Sequence, residues 1–143
     1  MDKVLDNEFE EDTNHEVVVH DELTGYRLYK REFQELDGSN WLSGNVIDFY
    51  LSLCIRGNPH QHTFPTHFYQ AFSPHDPFTG HQRVQGLTRN VDIFSLQLLL
   101  VPVYVTNHWI LVTIENLNTE TIQINLFDPK YKDRYASILK KSS

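Results

Sequence analysis

Leu99-Leu100-Val101-Pro102-Val103-Tyr104-Val105-Thr106-Asn107-His108-Trp109-Ile110-Leu111-Val112-Thr113-Ile114-Glu115 is the stretch that decides the reading of this chain. Two β-branched, apolar runs flank a polar break at Thr106-Asn107, and a single histidine opens the second run. A third run, Thr121-Ile122-Gln123-Ile124-Asn125-Leu126-Phe127, follows after the five residues Asn116-Leu117-Asn118-Thr119-Glu120 and is closed by Asp128. Such runs read as strands, and so short a connection makes the last two antiparallel neighbours. Pairing Glu115 with Thr121 sets Ile114 opposite Ile122, Val112 opposite Ile124, Ile110 opposite Leu126, and His108 opposite Asp128. Directly opposed residues share a face, so this register predicts one apolar face ending in a His/Asp pair.

A histidine held by a carboxylate is the base half of nucleophilic hydrolysis. The carboxylate fixes the tautomer through one ring nitrogen and leaves the other to activate a Ser or Cys. On pairing alone, the plainer reading of His108 is a strand-end histidine bonded to a nearby acid.

The rest of the composition sets bounds. The chain has 143 residues, 40% hydrophobic and 22% charged, enough for one domain with a core. One cysteine excludes an intrachain disulfide, and no Asn-x-Ser/Thr sequon occurs. The start lacks a basic-then-apolar signal, and Pro102, Asn107 and His108 interrupt the longest apolar run, so no membrane partner is expected. The net charge of −7 is concentrated before Leu23, where nine acids stand against Lys3. Residues 1–14 are therefore expected to be an acidic, disordered tail, and 15–143 the folded part. An acidic tail repels nucleic acid, and the scattered Lys130, Lys132, Arg134, Lys140 and Lys141 read as solvent-facing.

Between the tail and the three runs, Val17-Val18-Val19 reads as a strand, Leu28 to Leu36 as a short helix, and Asn45 to Ile55 as a helix capped by Ser43. Phe64, Phe68 and Phe72 recur at helical spacing, and Ser73 to Gly86 reads as loop. Five histidines, His60, His62, His67, His75 and His81, crowd this middle part without metal-ligand spacing, so no metal is expected.

An ordered series carries more. Trp41-Leu42, Val46-Ile47, Phe49-Tyr50-Leu51, then Phe64, Thr66 and Phe68-Tyr69, then Val91-Asp92-Ile93-Phe94, Leu100-Val101-Pro102-Val103, His108-Trp109 and Phe127-Asp128 resemble the catalytic domain of SUMO-specific (sentrin-specific) cysteine proteases. The series runs in order over about Val17 to Asp128. The resemblance implies an α+β, papain-like cysteine protease fold with a central antiparallel sheet flanked by helices, here incomplete. It implies His108 as general base, Asp128 as its orienter, and Trp41 and Trp109 as the walls of a narrow path for the substrate's Gly-Gly tail. Flat indoles leave room for a backbone without Cβ atoms. Trp41 reads equally as a core aromatic at a helix entry. On a regular strand Trp109 points away from the His108 face. The implied reaction is hydrolysis after the Gly-Gly of SUMO or another ubiquitin-like protein, without a cofactor, in an intracellular, nuclear setting.

Departures matter too. Ser43-Gly44 stands near where the family has an acidic residue, and Leu87 where it often has tryptophan. The family's oxyanion glutamine and nucleophile-bearing Asp-Cys-Gly follow well after the triad aspartate, and no Asp-Cys-Gly occurs here. Cys54 precedes His108 and is expected on the apolar face of its helix, as an inert core thiol. The chain alone is therefore expected to be inactive. The rival readings are a non-catalytic module that binds a ubiquitin-like modifier and a plain structural domain.

Overall fold

The computed structural model describes residues 13–71, 77–105 and 107–130, without the side chains of 77–79. They form two compact units, the first running to Phe49 and the second starting at Tyr50.

The first unit opens with a 3-10 turn, Thr13–His15, and an antiparallel pair of strands, β1 (Val17–His20) and β2 (Arg27–Tyr29). Asp21 builds the turn between them. Its carboxylate accepts from the Thr24 hydroxyl at 2.8 Å and its carbonyl from the Gly25 N–H at 2.8 Å, while Gly25 takes the left-handed φ of 76°. Helix α1 (Lys30–Gln34) follows at once. The helical spacing of Leu28, Phe33 and Leu36 thus misplaced the helix start, because Leu28 pairs with Val19 in the strand ladder and is buried there. The buried carboxylate of Glu32 joins α1 to the start of α2 (Gly44–Cys54). Its Oε2 accepts from the Tyr29 N–H at 3.0 Å and from Asn45 Nδ2 at 2.8 Å. Val46 and Phe49 of α2 complete an apolar cluster with Leu28, against which Val19, Tyr26 and Leu42 pack. Ser43 does not cap α2 through its side chain, since its buried Oγ has no hydrogen-bond partner.

The second unit is a four-stranded sheet in the order β3-β4-β5-β6. Its strands are β3 (Gln61–Thr63), β4 (Leu98–Val105), β5 (His108–Glu115) and β6 (Gln123–Phe127). β4, β5 and β6 are antiparallel as expected, but β3 pairs parallel to β4, so the sheet is mixed rather than purely antiparallel. Gln61–Thr63 carries too few apolar residues to announce a strand. Phe64 continues it in extended form and donates its N–H to the Leu100 carbonyl at 2.9 Å. Helix α3 (Phe68–Ala71) starts only at Phe68, whose ring stacks on Phe64 at 4.0 Å. The segment expected to be loop contains a helix, α4 (Pro77–Thr88). Proline suits the first helical position, where its missing N–H would have no partner, and tertiary packing tolerates the glycines.

The core of this unit joins Phe64, Leu96, Leu99, Val101 and Val103, with Ile110, Val112 and Ile114 of β5 packed against them. Pro102 is fully buried in β4. β3 ends opposite Leu100, so Pro102 lies where β4 pairs with β5 alone and its lack of an N–H leaves no ladder bond unmade. β6, at the sheet edge, leaves Ile124 68% and Leu126 53% exposed. Its apolar alternation predicted a buried face, but at the edge those side chains have a strand neighbour on one side only among the described residues. No helix in these residues is long and apolar enough to cross a membrane.

Candidate active site

Two hairpins place the site. β4 and β5 are joined by only Thr106 and Asn107, and Asn107 takes a φ of 64°, which asparagine tolerates better than most residues. The turn sets Val105 opposite His108 and Tyr104 opposite Trp109. His108 therefore continues the apolar row of Ile110, Val112 and Ile114, while Trp109 falls on the other face, its ring 5.1 Å from that of Tyr104.

The β5–β6 hairpin is wider than the sequence predicts. Glu115 pairs with Gln123 rather than Thr121, and Ile114 with Ile124 rather than Ile122. The loop takes up the difference. The N–H of Asn116 bonds back to the Gln97 carbonyl at 2.8 Å, and that of Asn118 to the Leu96 carbonyl at 3.1 Å. Thr119 Oγ1 then accepts from the Thr121 N–H at 3.2 Å, which holds Thr121 in the loop. A slip of two residues preserves every face, because side chains alternate with period two. It moves Asp128 from directly opposite His108 to the diagonal position, within reach of polar side chains.

The pair forms across that diagonal. His108 Nε2 lies 2.9 Å from Asp128 Oδ1, with the two side chains 18% and 4% exposed. An ionised carboxylate only accepts, so Nε2 donates and Nδ1 is left as the unprotonated acceptor. Nδ1 is buried and has no hydrogen-bond partner among the described residues. An unpaired buried acceptor costs about 1–3 kcal/mol, and such atoms concentrate where a reaction will use them.

The carboxylate is held on a second side. The backbone N–H of Lys130 donates to the same Oδ1 at 2.9 Å. Burial opposes the charge of Asp128, but the bonds from the Lys130 N–H and the His108 ring, with the cationic Lys130 nearby, outweigh it, so the carboxyl lies below its ordinary value of 3.8. Sequence reasoning missed this backbone clamp, although Asp-Pro-Lys is a recognisable turn signal.

Of the other predicted residues, Trp41 lies in the first unit, 62% exposed, before α2. Cys54 is the last residue of α2 and is exposed, not a buried core thiol as expected, because the helix buries Leu51 and Ser52 at this end instead. It makes no hydrogen bond to His108 Nδ1. Among the described residues no three His, Cys, Asp or Glu side chains gather as a metal site. His62, on β3, sits edge-on to Phe64 at 5.5 Å, and burial lowers its pKa from 6.5. His75 lies outside the described residues.

The likeness to known proteins follows the same frame. Human (Homo sapiens) sentrin-specific protease 2 is 34% identical over 94 residues, 62% of this chain and 15% of that protein. Mouse (Mus musculus) sentrin-specific protease 5 is 30% identical over 128 residues, 77% of this chain and 17% of that protein. The chain thus spans a minor part of these relatives' length. The solved C-terminal Ulp1 protease domain in complex with Smt3, the yeast ortholog of SUMO, superposes with a TM-score of 0.61 at 20% identity, over 88% of this chain and 56% of that domain. A solved de-sumoylating protease gives 0.63 at 20% identity, over 87% and 54%. These superpositions establish the α+β fold. The family model for the Ulp1 protease family, C-terminal catalytic domain, matches residues 40–140, and the chain belongs to that family.

Proposed function

We propose that His108 and Asp128 are the general base and its orienter in a papain-like cysteine protease site that cleaves after the C-terminal Gly-Gly of SUMO-type modifiers. The observation that carries this reading is the buried, unpaired Nδ1 of His108, with Nε2 committed to Asp128. Nδ1 would take the proton of a thiol. The thiolate would attack the carbonyl after Gly-Gly, and the imidazolium would return the proton to the departing amine. Water would then release the acyl-enzyme by the same base. No cofactor is needed. Trp41 and Trp109 are proposed to line the path of the glycine tail, and the modifier as partner is supported by the Smt3 complex of the related Ulp1 domain. Residues 15–143 are read as part of the protease domain, in an intracellular protein of the nucleus; the acidic tail expected over 1–14 lies outside the described residues up to residue 12, and Thr13 and Asn14 belong to the 3-10 turn.

The nucleophile in this reading is not Cys54, so residues 1–143 by themselves leave a SUMO-fusion reporter uncut. Cleavage by them that disappears on Cys54→Ala would overturn the assignment. An active protein formed by joining to this chain a downstream stretch bearing Asp-Cys-Gly should lose about a thousandfold or more in kcat/KM on His108→Ala. Titration of residues 1–143 with SUMO ending in Gly-Gly should give binding that Trp41→Ala and Trp109→Ala each weaken about tenfold. Binding without cleavage in the joined protein would favour a non-catalytic module, and unchanged binding in both variants would remove the tryptophans from the tail path.

A further inference from the structure

Asp128 stands just past the end of an edge strand, where a carboxylate is free to turn toward solvent. It is nevertheless aimed diagonally at His108. The same oxygen, Oδ1, receives the His108 ring and the Lys130 backbone N–H, each at 2.9 Å. A side-chain oxygen accepting from the N–H two residues on is an Asx turn, and Pro129 occupies its centre. Proline holds its φ near roughly −65° and carries no N–H. It cannot extend the ladder, and β5–β6 pairing stops at Leu111 and Phe127.

We propose that Pro129 is a positioning residue of this site: it closes the turn that presents the Lys130 N–H to Asp128 Oδ1 and so fixes the carboxylate against His108 Nε2. The functional meaning rests on His108 acting as the base, but the clamp stands on its own geometry. The donor to Oδ1 is the Lys130 backbone N–H, which survives truncation of that side chain. Two donors on one oxygen also restrict the carboxylate to one rotamer, which fixes the imidazole and leaves Nδ1 facing its buried side.

The test is made on residues 1–143 with 15N-labelled histidine and needs no catalysis. The Nε2–H proton of His108, protected by its bond to Asp128, should exchange about tenfold faster in Pro129→Gly, while β5–β6 amide protection is retained. The Asp128 carboxyl, followed by its 13C shift, should titrate closer to its ordinary value in that variant. Lys130→Ala keeps the N–H and should leave Nε2–H exchange within about twofold of the native rate. If Pro129→Gly loses strand pairing, Pro129→Ala is read in the same way. Native Nε2–H exchange in a Pro129 variant with intact strand pairing overturns the proposal, as does an effect of Lys130→Ala equal to that of Pro129→Gly. A joined protein that proves inactive bears on His108 as base and leaves this result standing.

Discussion

β4 and β6 flank the same strand and are both apolar, yet they have opposite fates. Leu99, Val101 and Val103 of β4 are buried in one cluster with Phe64 and Leu96, beside Ile110, Val112 and Ile114 of β5. Ile124 and Leu126, which pair with Ile114 and Val112 on that same face, are mostly exposed. The connections differ in parallel. A two-residue turn locks β4 to β5 and so places His108, whereas a loop bonded back to Leu96 and Gln97 sets β6 and so places Asp128. Apolar alternation selects a face, but neighbours decide whether that face is worth burying.

The sharpest way to break this contrast is truncation on each side of β5. Leu99→Ala should lower the unfolding free energy by about 2–5 kcal/mol in urea titrations, through lost burial and a cavity. Ile124→Ala, with similar chemistry at an exposed site, should change it by under about 0.5 kcal/mol. Equal losses would place β6 in the core. The turns come next. Asn107→Val forces a β-branched residue into a left-handed φ and should cost about 1–2 kcal/mol in the same titration. Inserting two glycines between Asn118 and Thr119 breaks the hydrogen bonds of Thr119 to the Asn116 carbonyl and should cost about 1 kcal/mol in the same titration.

The smallest effects are electrostatic and appear on acidification. His62 and Asp128 both have folded pKa values below their ordinary ones, so each favours the folded state above its ordinary value and loses that contribution as pH falls through the folded one. Thermal melts should therefore weaken first below pH 6.5, where His62 must be protonated in its half-buried place against Phe64, and again below 3.8. His62→Gln should remove the first decline and Asp128→Asn the second. Declines unchanged by these substitutions would assign the acid sensitivity elsewhere.

Much of the sheet was legible because β-branched runs and short connections leave few alternatives. The antiparallel order of β4, β5 and β6 follows from the short connections, and a shared face for His108 and Asp128 from alternation. The register did not, because Thr121 and Ile122 look like strand while hydrogen bonds from Asn116, Asn118 and Thr121 hold that segment as loop. The pair survives the error because a slip of two leaves the face unchanged. Two segments were misread. Gln61–Thr63 answers to its pairing with β4 rather than to its own propensity, and Pro77–Thr88 forms a helix in spite of its two glycines.

By itself, the sequence pointed to a histidine and an aspartate at the ends of neighbouring strands on one side of a sheet, since registers of that parity gather Ile110, Val112, Ile114, Ile124 and Leu126 on a single face. Only the tertiary structure decided that they meet on a diagonal, that the Lys130 N–H bonds the same carboxylate oxygen, that Nδ1 is buried without a hydrogen-bond partner among the described residues, and that Cys54 does not bond to it. Those are matters of distance and desolvation between residues far apart in the chain, and local pattern carries no record of either.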